Sequence, residues 1–425
     1  MIDPTSVLLR GALRPLNRLG ALLERAGLRS VSLEKEGLLE AARRATGLSD
    51  FGDGDFHAPL SRLLRSLESE ARLTLLGRIA ARSDLVGLLV NRLRLEADRR
   101  RHPGIAEERI RRPLFIVGLP RTGSTLLHHL LGQDPGGRVA RAWEVMEPSP
   151  PPETASLETD PRIARAASRL RWFDRLAPDF KAIHPLGADL PLECIAIMSA
   201  SFVSPRFHTT YHVPSYQSWL TGEDLRPAYE FHRRFLQQLQ WRAPAGHWVL
   251  KAPSHVFGFE SLFATYPDAV VVQTHRDPLS VLASVASLTL VLQRVFTDHL
   301  DPAEIGLEVT QRWSAGLERA MQARQDGRLD ERFLDVRYQD LVRDPMAAVR
   351  RIYERFGMTL TSEALARMQR FLATHPKDQH GSHRYSLGTF GLDARDLAPR
   401  FKGYCEHFGL QSEVERAAGA PARRG

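Results

Sequence analysis

The sequence predicts an α/β protein, with a P-loop-like parallel β-sheet flanked by helices, a helical N-terminal extension and a helical insertion. Short apolar runs rich in β-branched residues alternate with longer segments of helical periodicity, as in parallel sheets joined by right-handed crossovers. A glycine-containing turn directly follows the first run and opens into a helix. Four runs fit strands of the sheet: residues 114–117, 248–251, 269–274 and 333–338.

The composition restricts the class of protein. With 425 residues, the chain can build a large core in one or two domains. No apolar run approaches the ~20 residues of a membrane-spanning helix, so no transmembrane segment is predicted. Arginines at positions 10, 14 and 18 interrupt the first apolar segment, which argues against a signal peptide. Cys194 and Cys405 make neither a metal-ligand cluster nor a disulfide framework, which fits a reducing compartment. We therefore predict a cytoplasmic protein.

The charge indicates what kind of ligand the protein binds. The net charge is +8, and only five of the 58 basic residues are lysines. Such an arginine-rich composition, with many alanines and leucines, is typical of GC-rich bacterial coding sequences. The excess of positive charge suits anionic ligands. The chain has neither the aromatic pattern of an RNA-binding domain nor a zinc finger, so no nucleic-acid partner is predicted.

The first 109 residues are predicted to form the helical extension. Within residues 1–30, apolar residues recur at helical spacing with arginines on the other face. We predict that this helix docks on the domain or on a second subunit, and in the second case the protein would be a homo-oligomer. The alternative is a helix that lies on a membrane surface. Further helices are predicted at 33–47 and 58–100. The acidic turn between them, residues 50–55, lacks the spacing of an EF-hand, so it is interpreted as a turn only.

The turn after the first strand has the features of an anion-binding loop. Gly118 and Gly123 have the spacing of GxxxxGK[ST], but Ser124 occupies the lysine position and the cation lies within the loop as Arg121. Backbone N–H groups converge at a helix N-terminus, where the helix dipole favours negative charge and the hydroxyls of Ser124 and Thr125 add donors. The guanidinium supplies a planar, permanently charged fork. This pattern predicts a phosphate-binding loop for a nucleotide that is not a Mg-ATP phosphoryl donor.

The block 136–246 is predicted to be a helical insertion on the acceptor side of a substrate cleft. A loop rich in proline and acidic residues, 147–161, precedes helices predicted at 161–177, 190–203 and 226–242, with 211–219 irregular. The block also contains aromatic residues that fit either an apolar acceptor pocket or a structural core. These are Trp172, Phe173, Phe180, Phe202, Tyr211, Tyr216 and Trp219.

The remaining segments complete the alternation of strands and helices. Helices are predicted at 256–265, 279–292, 303–325, 345–356, 361–373 and 394–408. A polar stretch begins at residue 376 and includes His380, His383, Arg384 and Tyr385. The α/β domain is thus expected to span 110–410, with 411–425 as a tail.

Four strand ends have unusual polar residues. Ligands bind at the carboxyl ends of parallel strands. The residues at these ends are Arg121 with Ser124 and Thr125, Lys251 with Ser254 and His255, Arg276 with Asp277, and Arg337 with Tyr338. Ser284 follows Arg276 by eight residues, in the second turn of the predicted helix, near enough for both to bind one phosphate. Together these residues predict a ligand with more than one anionic group.

These residues resemble a known family. The segment from Gly118 to Thr125 resembles the 5′-phosphosulfate loop of sulfotransferases that use 3′-phosphoadenylyl sulfate, PAPS. The HRDP sequence at 275–278, with Ser284 eight residues beyond Arg276, is similar to their 3′-phosphate motif. The match over 110–410 is nearest to the bacterial and tyrosylprotein branches, which have arginine in the loop, whereas cytosolic small-molecule members have lysine. The resemblance implies a P-loop-like fold and sulfuryl transfer from PAPS to a hydroxyl.

The resemblance also implies a role for each matching residue. Arg121 and Lys251 would contact the sulfuryl group and the leaving phosphate oxygen, and Arg276 and Ser284 would hold the 3′-phosphate. The strand that ends at Tyr338 resembles the one whose tyrosine packs near adenine. The loop residues that would hold the 5′-phosphate are Thr122, Gly123, Ser124 and Thr125. Transfer of this kind depends mostly on positioning and charge, so no metal is predicted.

The general base is implied less directly. Glu144 lies at about the position of the base glutamate in the tyrosylprotein branch, and a carboxylate beside cations stays ionised and able to accept a proton. His255 is the alternative, because cytosolic members use a histidine just after the equivalent of Lys251. Arg384, in the tail, is the candidate for the further cation that this family brings to the 3′-phosphate, although the tail departs from the Arg-Lys-Gly form.

The sequence disfavours two other function classes. An ATP-dependent kinase or NTPase is disfavoured by the missing P-loop lysine and by a strand, 269–274, that ends in His-Arg instead of an aspartate for magnesium. A non-catalytic nucleotide-binding protein is disfavoured because Arg121, Lys251 and Glu144 are all present. The sequence does not identify the acceptor, which is predicted to be the hydroxyl of a small molecule, a lipid or a peptide.

Overall fold

The central feature of the fold is a sheet of five strands, counted over the part of the chain that the structure describes. The strands are β1 Leu114–Gly118, β2 Gly137–Arg138, β3 His247–Lys251, β4 Val270–His275 and β5 Phe333–Arg337. Their order is β2-β3-β1-β4-β5. β1 pairs in parallel with β3 and β4, and β4 pairs in parallel with β5. The predicted parallel α/β sheet is therefore confirmed, while the two-residue β2 is too short to produce a periodic signal and was missed.

The structure is a computed structural model that describes residues 31–52, 54–176, 187–325, 327–375 and 386–411, together with residues 15, 17, 18, 20 and 22. Most of the helix predicted over 1–30, the segment from His380 to Tyr385 and residues 412–425 lie outside the described residues. The prediction for Arg384 therefore lies outside them too.

The register of the sheet brings the predicted strand ends to one edge. Ile116 of β1 lies opposite Lys251 of β3, and Gly118 of β1 lies opposite Thr274 of β4. His275, the last residue of β4, lies opposite Arg337 of β5. Because all these strands run in the same direction, the residues that follow them emerge at the same edge of the sheet.

Contacts divide the chain into two units. The first comprises residues 1–111, 139–248 and 291–300, and the second comprises 112–138, 249–290 and 301–425. The predicted insertion 136–246 thus falls almost entirely in the same unit as the N-terminal extension. The domain boundaries proposed from the sequence, at 109, 136, 246 and 410, remain predictions.

The first unit is built from helices. They are Lys35–Thr46, His57–Ser69, Leu75–Arg101, Gly104–Glu107, Ala142–Met146, Pro161–Leu176, Cys194–Met198, Arg206–Thr210, Pro214–Gly222 and Arg226–Gln240. The prediction of an irregular stretch at 211–219 was wrong. Pro214 occupies the first turn of a helix, where its missing N–H costs nothing, and this start signal was overlooked.

Aromatic residues of the insertion form much of the core of this unit. Phe202 stacks on Phe207, and the ring of Phe207 meets Tyr216 edge-on. Phe202, Tyr211 and Tyr216 are fully buried. Arg92 lies over Phe56 and donates to the carbonyl of Ala200, and burial lowers the pKa of its guanidinium to about 10. The sequence allowed these three aromatic residues to line an acceptor pocket or to form a structural core, and the structure shows the core.

The second unit surrounds the sheet with helices. They are Ser124–Leu131, Phe259–Thr265, Pro278–Gln293, Pro302–Arg324, Tyr338–Arg343, Pro345–Arg355, Ser362–Thr374 and Ala394–Phe408. The strand predicted at 333–338 is one residue shorter, because Tyr338 begins a helix. All residues of β1 and β4 are buried, as expected of central strands covered on both faces.

Candidate active site

The loop after β1 has a backbone shape that depends on specific residues. Gly118 and Gly123 have φ angles of +130° and +84°, which glycine adopts without strain. A Cβ at Gly118 would collide with the backbone carbonyl of Thr274, so only glycine fits there. Arg121 has φ +66°, a left-handed conformation that costs a non-glycine residue about 1 kcal/mol. Strain of this kind occurs where a loop is shaped for a ligand.

The loop is fastened to the neighbouring strand by Thr122. Its hydroxyl donates to the carbonyl of Leu119 at 2.6 Å and lies 2.6 Å from the hydroxyl of Thr274 in β4. Thr122 is fully buried. Of the residues predicted to bind phosphate, Thr122 therefore has a hydroxyl that is already used within the loop.

Lys251 and Thr125 meet at the start of the helix that follows the loop. The Nζ atom of Lys251, at the end of β3, donates to the Thr125 hydroxyl at 3.2 Å. Lys251 is only 3% exposed, and Ser124, the first residue of the Ser124–Leu131 helix, is equally buried. The structure thus joins a buried ammonium group, two hydroxyls and a helix N-terminus, which is the chemistry of an anion-binding site.

Arg276 links the ends of β4 and β5 to the same loop. Its guanidinium donates to the carbonyl of Arg121 at 3.2 Å and lies 4.2 Å from the centre of the Tyr338 ring. A Cβ at Gly123 would contact the same ring and collide with Leu341. The loop residue Arg121 and the predicted binding residues Gly123, Arg276 and Tyr338 are therefore neighbours within the second unit.

The two residues after Arg276 start a helix. A carboxylate oxygen of Asp277 accepts from the backbone N–H of Leu279 at 3.0 Å, which caps the Pro278–Gln293 helix. Asp277 is therefore a capping residue. Ser284 lies in the second turn of this helix, as predicted, and is half-buried.

A polar network, buried at His275 and half-buried at Asp335, supports the end of β4, and sequence reasoning missed it. His275 Nε2 lies 2.8 Å from a carboxylate oxygen of Asp335 in β5, and Arg324 donates to both oxygens of that carboxylate at 2.7 and 2.8 Å. The pKa of Asp335 is held well below its usual range by these hydrogen bonds, against its burial. An aspartate inside an apolar strand and a histidine next to Arg276 were the available signals.

The network fixes the tautomer of His275. Because the Asp335 carboxylate only accepts, Nε2 carries the proton, and Nδ1 of the neutral ring accepts. The hydroxyl of Tyr404, 2.7 Å from Nδ1, is therefore the donor. Burial lowers the pKa of His275, which keeps the ring neutral. Phe408 stacks on the imidazole at 3.8 Å, so the Ala394–Phe408 helix is anchored to the end of β4 beside Arg276.

Both candidates for the base are buried, and they belong to different units. Glu144 is 1% exposed, and one of its carboxylate oxygens accepts from the backbone N–H of Arg141 at 3.0 Å, which caps the Ala142–Met146 helix. Glu144 is therefore a capping residue as well as a candidate base. His255 is also 1% exposed, and its ring meets Phe115 of β1 edge-on at 5.0 Å.

Two absences hold for the residues that the structure describes. No group of histidine, cysteine, aspartate or glutamate side chains there is arranged to hold a metal ion. Among the same residues, no helix is long and apolar enough to cross a membrane.

Known proteins share this architecture. Residues 113–362 match the model of the sulfotransferase family. The structure of sulfotransferase STF1 from Mycobacterium tuberculosis superimposes with a TM-score of 0.78 at 36% identity, covering 87% of this chain and 98% of that one. STF9 from Mycobacterium avium gives a TM-score of 0.81 at 32% identity, covering 90% and 99%. The omega-hydroxy-beta-dihydromenaquinone-9 sulfotransferase Stf3 from Mycobacterium bovis is 27% identical over 289 residues, 65% of this chain and 70% of that protein.

These matches identify the class of enzyme. The chain belongs to the sulfotransferase family. It is a sulfotransferase of the bacterial type, similar to the mycobacterial enzymes, and it transfers a sulfuryl group to a hydroxyl acceptor that is not identified. The kinase and NTPase alternative is not favoured.

Proposed function

We propose that the sulfuryl donor is PAPS and that the loop after β1 binds its 5′-phosphosulfate. The contact between Lys251 and Thr125 at the start of a helix is the observation that carries this proposal. Ser124 and Thr125 would donate hydroxyls, and the backbone of Thr122 and Gly123 would donate N–H groups. Arg276 and Ser284 would bind the 3′-phosphate, with Tyr338 near the adenine. Arg121, Lys251 and Arg276 would supply the positive charge that balances the phosphates, so we propose that binding needs no metal.

We propose that the reaction is an in-line displacement. A bond forms between the acceptor oxygen and sulfur while the bond from sulfur to the 5′-phosphate oxygen breaks, and the bonding electrons leave with that oxygen. Lys251 would balance the negative charge that grows on it, and Arg121 would bind the sulfuryl oxygens. Such fixed charges stabilise a transition state without reorganising. The products are a sulfate ester and adenosine 3′,5′-bisphosphate.

The acceptor hydroxyl must also lose a proton. We propose Glu144 as the acceptor of that proton, on the resemblance to the tyrosylprotein branch, with His255 as the alternative. The hydrogen bond from the Arg141 backbone holds the Glu144 carboxylate in a fixed position, which suits a general base. The burial of His255 against Phe115 gives it a packing role, which makes it the weaker candidate.

For the acceptor we propose a lipid alcohol. The support comes from Stf3, which is similar to 65% of this chain. Stf3 is named for an ω-hydroxylated menaquinone. A cytoplasmic location remains a prediction from the sequence.

The test is a transfer assay in the presence of a metal chelator. Labelled PAPS would be offered with an ω-hydroxylated isoprenoid quinone, a phenol and a tyrosine peptide. We expect label on the quinone alcohol, and we expect Lys251→Ala to lose about tenfold or more in transfer, since a charged hydrogen bond is removed. Lys402→Ala, an exposed lysine of the Ala394–Phe408 helix, is the control and should retain wild-type transfer. Label on the peptide alone would reject the lipid acceptor, and a strict metal requirement would reject the metal-free site.

A further inference from the structure

The Pro161–Leu176 helix of the first unit has an inner and an outer face of different character. On the inner face, Ala166 packs with Trp143, and Arg162 lies over the Trp143 ring while it pairs with Asp160. The helix is therefore held firmly in its unit. The outer face consists of exposed side chains that include Arg165, Arg169, Arg171, Trp172 and Arg175.

Trp172 is the unusual member of the outer face. Its side chain is 56% exposed, and among the described residues it is the only exposed phenylalanine, tyrosine or tryptophan. The guanidinium of Arg175 lies 5.3 Å from the centre of the Trp172 ring, so the two side chains make a cation–π contact at the end of the helix. An aromatic ring that stays in water does not stabilise the fold through the hydrophobic effect, because that stabilisation requires burial.

The charge of the outer face is positive. Arg165 donates to Glu147 at 2.9 Å, and Arg169 pairs with the other oxygen of the same carboxylate at 3.2 Å. One carboxylate thus serves two arginines. Arg171 and Arg175 add two more cations, and Asp174 is the only acidic residue of the helix. Four exposed arginines against two carboxylates leave a net charge of about +2, which suits an anionic partner.

We propose that this outer face docks on the surface of an anionic lipid bilayer. The arginines meet lipid phosphates, and the indole enters the boundary between headgroups and acyl chains, where tryptophan is enriched. A single-stranded nucleic acid would be bound along a series of stacking rings, and this face has one ring. A second copy packed face to face would place like charges opposite each other. The delivery of a lipid acceptor to the enzyme rests on the proposed function; the docking itself does not.

The test measures binding of the full chain to vesicles without any substrate. Phosphatidylglycerol vesicles are compared with phosphatidylcholine vesicles by co-sedimentation. We expect binding to the anionic vesicles that falls as salt rises from about 0.1 M to about 1 M, where the screening length drops from about 10 Å to about 3 Å. Arg171→Glu with Arg175→Glu should lower it about tenfold or more. Trp172→Ala should weaken it, and the blue shift of tryptophan emission on vesicles should vanish in Trp172→Phe.

A matched control separates this face from the general basicity of the chain. Arg350 and Arg351 are two exposed arginines of the Pro345–Arg355 helix, and their reversal to glutamate makes the same change in net charge. That variant should lose far less binding than the reversal of Arg171 and Arg175. Equal losses, or equal binding to both kinds of vesicle, would overturn the proposal. Binding to RNA that exceeds binding to vesicles and does not depend on Trp172 would also overturn it. Thermal melts confirm that each variant is folded.

Discussion

At the scale of single residues, the site depends on cations that are held by specific contacts. Lys251 is fixed by the Thr125 hydroxyl, and Arg276 is fixed between the Arg121 carbonyl and the Tyr338 ring. Because these side chains are held in place before a ligand arrives, little conformational entropy is lost when it binds. A change at Arg276 should therefore have a large effect on nucleotide binding.

Arg276→Ala should weaken binding of adenosine 3′,5′-bisphosphate about tenfold or more, since a charged hydrogen bond contributes about 1.5–3 kcal/mol. Binding of adenosine 5′-monophosphate, which lacks the 3′-phosphate, should change little. Calorimetry with both ligands measures the difference. Arg343→Ala is the control, an exposed arginine paired with Asp340, and it should bind both ligands as the wild type does. Equal loss for both ligands in Arg276→Ala would assign that residue to the 5′ end or to the fold.

Glu144→Gln should lower turnover by roughly 10²–10⁴-fold, the contribution of a general base. Nucleotide affinity should stay nearly unchanged. The amide oxygen can still accept from the Arg141 backbone, so the helix cap survives while the basic oxygen is lost. Rates are measured at saturating PAPS beside His255→Gln. A wild-type rate in Glu144→Gln together with an inactive, folded His255→Gln would make the histidine the base.

At the scale of elements, the end of β4 is held by a network that reaches the neighbouring strand β5 and two helices. Asp335 comes from β5, Arg324 ends the Pro302–Arg324 helix, and Tyr404 and Phe408 come from the Ala394–Phe408 helix. His275 precedes Arg276 directly. The network therefore restrains the backbone from which Arg276 extends.

Tyr404→Phe should lower the free energy of unfolding by about 1–3 kcal/mol, because the Nδ1 acceptor of His275 is left buried without its donor. Affinity for adenosine 3′,5′-bisphosphate should fall more than affinity for the 5′-monophosphate, since the restraint acts next to Arg276. Urea unfolding and calorimetry measure the two effects. Unchanged stability would mean that another donor replaces the hydroxyl, and an equal loss for both nucleotides would contradict the link to Arg276.

At the scale of the whole molecule, buried histidines connect stability to pH. Burial lowers the pKa of His232, on the Arg226–Gln240 helix, to about 3, and it also lowers the pKa of His275. In the unfolded chain a histidine titrates near pH 6.5. Below that pH these histidines are protonated in the unfolded chain but stay neutral in the folded protein. The free energy of unfolding therefore falls as pH falls.

From about pH 7 to about pH 5, His232 alone should remove about 2 kcal/mol of stability, at about 1.4 kcal/mol per pKa unit. The lowered pKa of Asp335 acts only at lower pH, where its ordinary pKa of 3.8 is approached, so this interval isolates the histidines. Urea unfolding at both pH values is the measurement. His232→Phe should show a smaller drop than the wild type. A drop of equal size in both proteins would rule out His232 as the source.

Much of the site could be predicted because its chemistry is local in sequence. Gly118 and Gly123 indicated a loop with positive φ angles, and the residues after each strand were predicted to lie together because parallel strands end at one edge. The element starting at Pro214 was missed although its signal was present. His275 and Asp335 were each recognisable as unusual residues, but their pairing could not be predicted. Arg324, Asp335 and Tyr404 are distant from His275 in sequence and meet it only in the fold.

The amino-acid sequence by itself determined the α/β class, four of the five strands that the structure describes, the glycine-containing loop after β1 and the family, because these follow from periodicity and from motifs of a few residues. Only the tertiary structure decided which side chains touch. It placed Lys251 on Thr125, turned the hydroxyl of Thr122 inward and left Trp172 exposed. The physical reason is that burial, a pKa shift and a hydrogen bond each depend on neighbours from distant parts of the chain, and no local pattern contains them.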